Sequence, residues 1–426
     1  MPAPRPDHAV AFRYDAAVVG LGSVGLPTAL ALHAAGRRVI GTETSGTRLA
    51  DIEAGTVHLL EPDRSRLPAA LGSGDSFVLT TEPDRGATAE HVLICVPTPI
   101  DRHLAPDLTV LRAACREFVV RAVPGQTLIL TSTTYVGCTR DLLIGPLSDR
   151  GLVVGVDVFV AFAAERIDPG NERHAQQAAP RVVGGVTAEC VRRATALLES
   201  CASQVHAVSS VEAAEMTKLY ENTFRAVNIA MANEFADICR GVGLDITEVI
   251  NAAATKPYGF LPFLPGPGVG GHGNPHYLLW QLRGARISAP LIETAMTQLA
   301  ARPGRVVQRA AEVLAARGMA LADAKVLVVG VGYKPGVADV RESPALEIID
   351  RMREVGASVS FTDDLIGRVS VKGGRLSSVQ PGDLSDWDLV VVHTLQPGAD
   401  ASWLDQAPAL LDATYRLGEL PQRSTP

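Results

Sequence analysis

The stretch Asp15 to Glu43, "DAAVVGLGSVGLPTALALHAAGRRVIGTE", decides the fold. It opens as an apolar run ending at Val19 and turns through glycines at positions 20, 22 and 25. An alanine- and leucine-rich segment of helical length follows, and a second apolar run ends on Glu43. Strand, glycine turn, helix, strand is a βαβ unit. Small residues in the turn let the backbone approach an anion, and the amino terminus of the helix behind them supplies N–H groups and partial positive charge.

Working outward, further apolar runs at "HVLICVP", "TLILTST" and "DVFVAF" alternate with helical or loop text, which predicts a mostly parallel sheet with helices on both faces. Ser209 and Glu212 read as a capping box for a long helix that runs to Gly241 and Gly243, a span of about 45 to 50 Å. A helix of that length bridges domains or subunits. A second βαβ unit starts at "AKVLVVGVGYKPG" and continues through "SPALEIIDRMREVG", "ASVSFTDD" and "DLVVVHT". The expected fold class is therefore α/β, with two Rossmann-like doubly wound domains joined by a long central helix. The divisions fall at residues 1–205, 206–318 and 319–426.

Composition bounds the function. The chain has 426 residues, 47% of them hydrophobic and 20% charged, with a net charge of −7 and no Lys/Arg-rich block. That argues against nucleic acid or an anionic membrane as partner. The opening "MPAPRPDHAVAFRY" carries Pro and charge where a signal peptide carries its apolar core, and no apolar run approaches the ~18 residues of a membrane span, so a cytoplasmic protein is expected. Six cysteines (Cys95, Cys115, Cys138, Cys190, Cys201 and Cys239) show neither CxxC pairing nor zinc spacing, which predicts reduced, structural thiols and no metal.

Gly20, Gly22 and Gly25 form GxGxxG between a strand and a helix, the context in which that pattern binds a dinucleotide pyrophosphate. Glu43, about 20 residues on, can accept hydrogen bonds from a ribose and would repel a 2′-phosphate, so NAD is the expected cofactor. Lys218 and Asn222 stand four apart on the long helix, share one face and can converge on one oxygen. A lysine desolvated in a pocket has its pKa lowered toward neutrality, which suits it to exchange a proton with an alcohol.

Nine stretches in order carry a resemblance: "VVGLGSVGLPTAL", "ICVPTPID", "TSTTYVGCTR", "AAERIDPGN", "RVVGG", "KLYENTFRAVNIAMANE", "AATKPYGFLPFLPGPGVGGH", "GVGYKPGVADVRESPALEI" and "LLDATYR". The chain resembles the UDP-glucose/GDP-mannose dehydrogenase family, and within it the UDP-N-acetylmannosamine/N-acetylglucosamine dehydrogenase branch. The resemblance implies NAD in the first domain, the nucleotide of a UDP- or GDP-linked sugar in the third, and a homodimer formed through the long helix. It implies a catalytic set of Lys218, Asn222, Glu165 and Thr133. Cofactor contacts would come from Gly20, Gly22, Ser23, Val24, Gly25, Glu43, Arg48, Pro97, Thr98, Thr133 and Arg341. Substrate contacts would come from Glu165, Arg166, Lys218, Asn222, Phe263, Gly268, Gly270, Gly271, Gly273, Tyr333, Lys334 and Arg416.

One departure decides the expected chemistry. Where the family writes Gly-Gly-His-Cys, a spacer and Asp-Pro before a Tyr-Leu pair, this chain writes Gly271, His272, Gly273, Asn274, Pro275, His276, Tyr277, Leu278. The thiol and the aspartate are both gone. The family's usual members oxidise a primary alcohol twice, to a carboxylate. The second oxidation needs a nucleophile to form a tetrahedral adduct that still carries a hydrogen, and glycine cannot attack. The expectation is one two-electron oxidation of a sugar-nucleotide alcohol to a carbonyl. A secondary alcohol fits best, such as position 6 of a GDP-octose in the making of an antibiotic sugar. The alternatives are an epimerase that retains its NAD and a catalytically silent paralogue that binds a sugar nucleotide. His272 is read as shaping the loop and His276 as packing.

Overall fold

The computed structural model describes residues 11–101, 103–166, 179–267, 273–418 and 422–426. The contacts divide it into two compact units, one of residues 1–221 with 276–286 and one of residues 222–275 with 287–426.

The first unit is built on an eight-stranded sheet. Its strands are β1 (Tyr14–Val19), β2 (Val39–Thr42), β3 (Phe77–Thr80), β4 (Ala89–Ile94), β5 (Thr127–Leu130), β6 (Phe159–Phe162), β7 (Arg181–Gly185) and β8 (Val205–Val208), in the order β3-β2-β1-β4-β5-β6-β7-β8. β1 has five of its six residues buried, the signature of a parallel strand covered on both faces. Ala16 is in register with Val39 on one side and His91 on the other. Helix Gly25–Ala34 lies buried from Gly25 to Leu32, which is why its text reads apolar on every face. β6 and β7 pair antiparallel, and β8 then runs parallel to β7. That extension of the sheet, together with β3, is absent from the strands anticipated above.

The long helix spans Val211–Gly241, 31 residues and so about 46 Å. Its cap differs from the expected one: Ser210, not Ser209, accepts the Ala213 N–H, at 3.1 Å. Glu212 instead pairs with Arg140 at 2.7 Å. The capping pattern is degenerate by one residue wherever two serines stand side by side.

The second unit carries a parallel sheet of β9 (Lys325–Val329), β10 (Ser358–Thr362), β13 (Leu389–Val392), β14 (Leu410–Asp412) and β15 (Arg423–Ser424), in the order β10-β9-β13-β14-β15. A hairpin of β11 (Arg368–Val371) and β12 (Gly374–Ser377) lies in between in sequence. Helices Pro290–Ala315 and Pro344–Glu354 cover this sheet through Val306, Ala310, Ile348 and Met352. Arg302, 1% exposed, bonds Asp237 at 2.9 Å and Tyr415 Oη at 2.6 Å. Tyr415 holds a left-handed φ of 57° and donates to the Pro426 carbonyl at 2.6 Å.

Gly330, with φ 77°, ends β9, and a Cβ there would stand 1.9 Å from the Thr394 carbonyl oxygen. Backbone cannot yield to a side chain at that distance. Gly330→Ala is expected to destabilise this unit by roughly 2–4 kcal/mol, measured as a drop in its thermal or urea midpoint. A stability within about 0.5 kcal/mol of the unmutated protein would contradict the packing described.

Candidate active site

The glycine turn after β1 is shaped for a pyrophosphate. Gly20 has φ 88°, and a Cβ on Gly25 would stand 1.8 Å from the Gly20 carbonyl oxygen, so the turn closes only with glycine at both positions. A Cβ on Gly22 would meet nothing within 4 Å, which leaves open space on that side of the turn. Val24 gives the helix terminus no side-chain cap, and its first turn has no acidic residue. The partial positive charge is thus left for an anion. Ser23 is exposed and Val24 half-buried at the mouth.

Glu43 closes β2 and is half-buried. Its Oε2 accepts the Leu21 N–H at 3.0 Å and its Oε1 the Ser45 N–H at 3.1 Å. Arg48 Nε donates to the Leu21 carbonyl at 3.2 Å, so the Leu21 peptide is held from both sides. This carboxylate shapes the turn and stands where a ribose hydroxyl needs an acceptor. The residues present fit NAD.

The loops after β4 and β5 meet. Thr98 Oγ1 donates to the Thr133 carbonyl at 2.9 Å, next to the exposed Pro97. Glu215, only 1% exposed, then holds the loop that carries Thr133. Its carboxylate accepts the Gly137 N–H at 2.6 Å, the Thr139 N–H at 2.8 Å and Thr139 Oγ1–H at 2.6 Å. Burial still pushes its pKa above the usual carboxylate range, with those hydrogen bonds pulling the other way. Helix Gly273–Ala285 clamps the same loops: Tyr277 Oη donates to the Thr98 carbonyl at 2.8 Å, and Gln281 accepts the Val136 N–H at 3.1 Å and donates to its carbonyl at 2.7 Å. Trp280 meets Tyr135 edge-on at 5.6 Å. Glu215, Tyr277 and Gln281 escaped the sequence reading, because each earns its role from a partner far along the chain.

Three and seven residues after Glu215, on the same helix face, come Lys218 and Asn222. Lys218 is half-buried. Asn222 is 6% exposed; its Oδ1 accepts from Arg225 at 3.2 Å, and its buried Nδ2 finds no acceptor among the described residues. A desolvated amide N–H in want of an oxygen suits the orientation of a substrate hydroxyl.

Glu165, just beyond β6, is buried and forms an ion pair with Arg181, the first residue of β7 and fully buried. Glu165 Oε1 also accepts the Arg166 N–H at 2.8 Å. Arg166 in turn pairs with Glu221 on the long helix and donates to the Pro180 carbonyl at 3.1 Å. It borders a cleft of about 440 Å³ that is also lined by Gln204, His206 and Thr217.

In the second unit Tyr333 and Lys334 are half-buried on the loop after β9, where the Tyr333 N–H donates to the Asp339 carbonyl at 3.0 Å. Arg341 is exposed and bonds the Asp339 carboxylate, which raises its pKa through that hydrogen bond. Arg416 is exposed next to Tyr415. Phe263 stacks edge-on against Phe224 at 5.8 Å. Gly268, Gly270, Gly271 and His272 lie outside the described residues, and Gly273 opens helix Gly273–Ala285. His276 is half-buried, and burial lowers its pKa.

All six cysteines are free and buried. Burial pushes the Cys95 and Cys138 thiols up to about 12 and raises Cys115 and Cys201 as well. Cys239 packs in an apolar cluster with Ile246, Ile250 and Tyr415. Among the described residues no three His, Cys, Asp or Glu side chains are grouped to hold a metal ion, and no helix is long and apolar enough to cross a membrane.

The chain is similar to known proteins along most of its length. Residues 15–202 match the NAD binding domain of the UDP-glucose/GDP-mannose dehydrogenase family, residues 212–298 its central domain and residues 327–415 its UDP binding domain. An NDP-N-acetyl-D-galactosaminuronic acid dehydrogenase of Ralstonia solanacearum is 34% identical over 388 residues, 88% of this chain and 89% of the relative. The UDP-N-acetyl-D-mannosamine dehydrogenase of Escherichia coli K12 is 34% identical over 347 residues, 78% of this chain and 81% of that one. Among solved structures, the UDP-D-ManNAc dehydrogenase of Pyrococcus horikoshii superposes with a TM-score of 0.85 at 29% identity, covering 96% of this chain and 98% of its own. The protein is an NAD-dependent oxidoreductase, and it belongs to the UDP-glucose/GDP-mannose dehydrogenase family.

Proposed function

We propose that this enzyme oxidises an alcohol of a nucleotide-linked sugar once, to a carbonyl, and does not continue to the acid. The observation that carries the reading is Gly273, which stands where the family places its thiol, in a chain whose six cysteines are all buried. NAD, held by the turn of Gly20, Gly22 and Gly25, would supply the hydride acceptor. Lys218 takes the hydroxyl proton, so the carbon loses two electrons and one hydrogen while the amine gains the other. Asn222 Nδ2 orients the reacting oxygen. Thr133 and Thr98, on loops clamped by Glu215 and Tyr277, set the carbon against the cofactor. Glu165, paired with Arg181, gives a fixed negative charge beside the substrate. Tyr333, Lys334, Phe263, Arg416 and the loop from Gly268 to Gly271 would hold the nucleotide sugar, with Arg341 on the cofactor side.

A secondary alcohol suits this machinery. Its ketone has no hydrogen left to surrender, so a thiol has no use there, and a carbon-extended sugar such as a GDP-octose bound for an antibiotic is the substrate we favour. The long helix supports a homodimer: Met216, Tyr220, Phe224, Met231, Phe235 and Ile238, spaced three, four or seven apart, are all at least 40% exposed.

Incubation with NAD and a panel of sugar nucleotides is expected to yield a product lighter by two hydrogens. A carboxylate product overturns the reading, as does an epimer of unchanged mass. Lys218→Ala should lower turnover by about 10³-fold while the protein stays folded, and unchanged turnover would mark a silent paralogue. Iodoacetamide at pH 8 should leave the folded enzyme fully active, because thiols held near 12 carry almost no thiolate there. Inactivation protected by substrate would show a reactive cysteine and contradict the mechanism.

A further inference from the structure

The family resemblance places Arg166 among the substrate contacts, yet all three of its guanidinium nitrogens are taken by protein. Nε donates to Glu221 Oε2 at 3.3 Å and Nη2 to the other oxygen of the same carboxylate, a two-pronged pair. Nη1 donates to the Pro180 carbonyl at 3.1 Å. A guanidinium committed in this way has a different task from holding a ligand.

Each partner adjoins a residue of the proposed site. Arg166 follows Glu165, whose Oε1 accepts the Arg166 N–H at 2.8 Å and whose Oε2 pairs with Arg181. Pro180 precedes Arg181, and Glu221 lies three residues beyond Lys218 on the long helix. The Arg166 fork therefore joins the loop after β6, the start of β7 and the long helix. Val182 lines the cleft beside Arg166, so by strand alternation Arg181, with the Glu165 carboxylate on it, lies on the other face of β7. The Arg166 and Glu221 side chains are 27% and 34% exposed, so solvent screens the pair and its contribution to stability is small. Its consequence is geometric.

We propose that Arg166 and Glu221 are positioning residues for the reaction: their pair ties the peptide that carries Glu165 to the helix that carries Lys218, and neither side chain touches the substrate. Proton transfer demands alignment at hydrogen-bond range, so a loop cut loose from the helix costs turnover and leaves cofactor binding alone. A lysine could not replace Arg166, since a single point donor cannot hold both Glu221 oxygens and the Pro180 carbonyl in one plane. The inference rests on the sugar-nucleotide reading, from which Glu165 and Lys218 take their roles.

Steady-state kinetics on the full chain tests it, with NAD and whichever member of a panel of UDP- and GDP-linked sugars releases NADH fastest. Arg166→Gln and Glu221→Gln should each lower kcat about tenfold, with the KM for NAD kept within about twofold. Their thermal midpoints should stay within roughly 4 °C of the unmutated protein. The double variant should also lose only about tenfold, because the two side chains act as one unit. Losses that multiply to about a hundredfold in the double variant, or an unchanged kcat in both single variants, overturn the assignment. So does a raised KM for the sugar confined to Arg166→Gln, which would make Arg166 a substrate contact. A thermal midpoint that collapses in either single variant would make the pair a structural one and overturn it too. If the unmutated enzyme oxidises no member of the panel, the sugar-nucleotide reading itself falls, and this inference with it.

Discussion

The reacting side of the first unit depends on one buried carboxylate. Glu215 has no solvent to stabilise its charge, and it is tolerable inside the protein because Gly137 and Thr139 supply three donors to it. The arrangement leaves little freedom: the loop after β5 cannot shift without stranding a buried charge. Lys218 lies one helical turn further on, so the interaction that fixes the loop also fixes the register of this lysine, the proton acceptor proposed above, relative to the loop of Thr133. Truncating such a carboxylate leaves several donors unpaired at once, which is why its influence exceeds that of a surface pair.

A second clamp explains how the site survives the altered segment before helix Gly273–Ala285. Tyr277 and Gln281 hold the Thr98 and Val136 peptides from this helix, downstream of the position where the family's thiol would stand. The loops that carry Thr98 and Thr133 are therefore positioned by contacts that do not pass through Gly273. Under the proposed function, a glycine at that position removes the second oxidation and leaves these contacts in place. Cys138 is fully buried, and burial, with the Glu215 charge adding to it, pushes its thiol up to about 12.

Much of this was legible in the residues, and the boundary is physical. The turn at Gly20, Gly22 and Gly25 and the carboxylate at Glu43 could be read because their spacing follows from local turn and strand geometry. Lys218 and Asn222 could be placed on one face from helical periodicity alone. Glu215 read as one more charged helix residue, because the groups it binds lie 76 and 78 residues away. Tyr277 reaches 179 residues back to Thr98 and Gln281 145 residues to Val136, distances at which one sequence carries no pairing signal. Arg181 read as the edge of "RVVGG", and the antiparallel pairing of β6 with β7 left no mark in the pattern of short buried strands. The cap of the long helix was misplaced by one residue for the opposite reason: two adjacent serines offer the same local signal, and only the backbone chooses Ser210.

The proposed chemistry needs a complete site for one oxidation and no group for a second. The most direct measurement is the count of NADH released per molecule of sugar nucleotide consumed, followed to completion with excess NAD. One NADH per sugar is the predicted result. Two per sugar would contradict the account, because the second NADH requires a further oxidation of the carbonyl carbon.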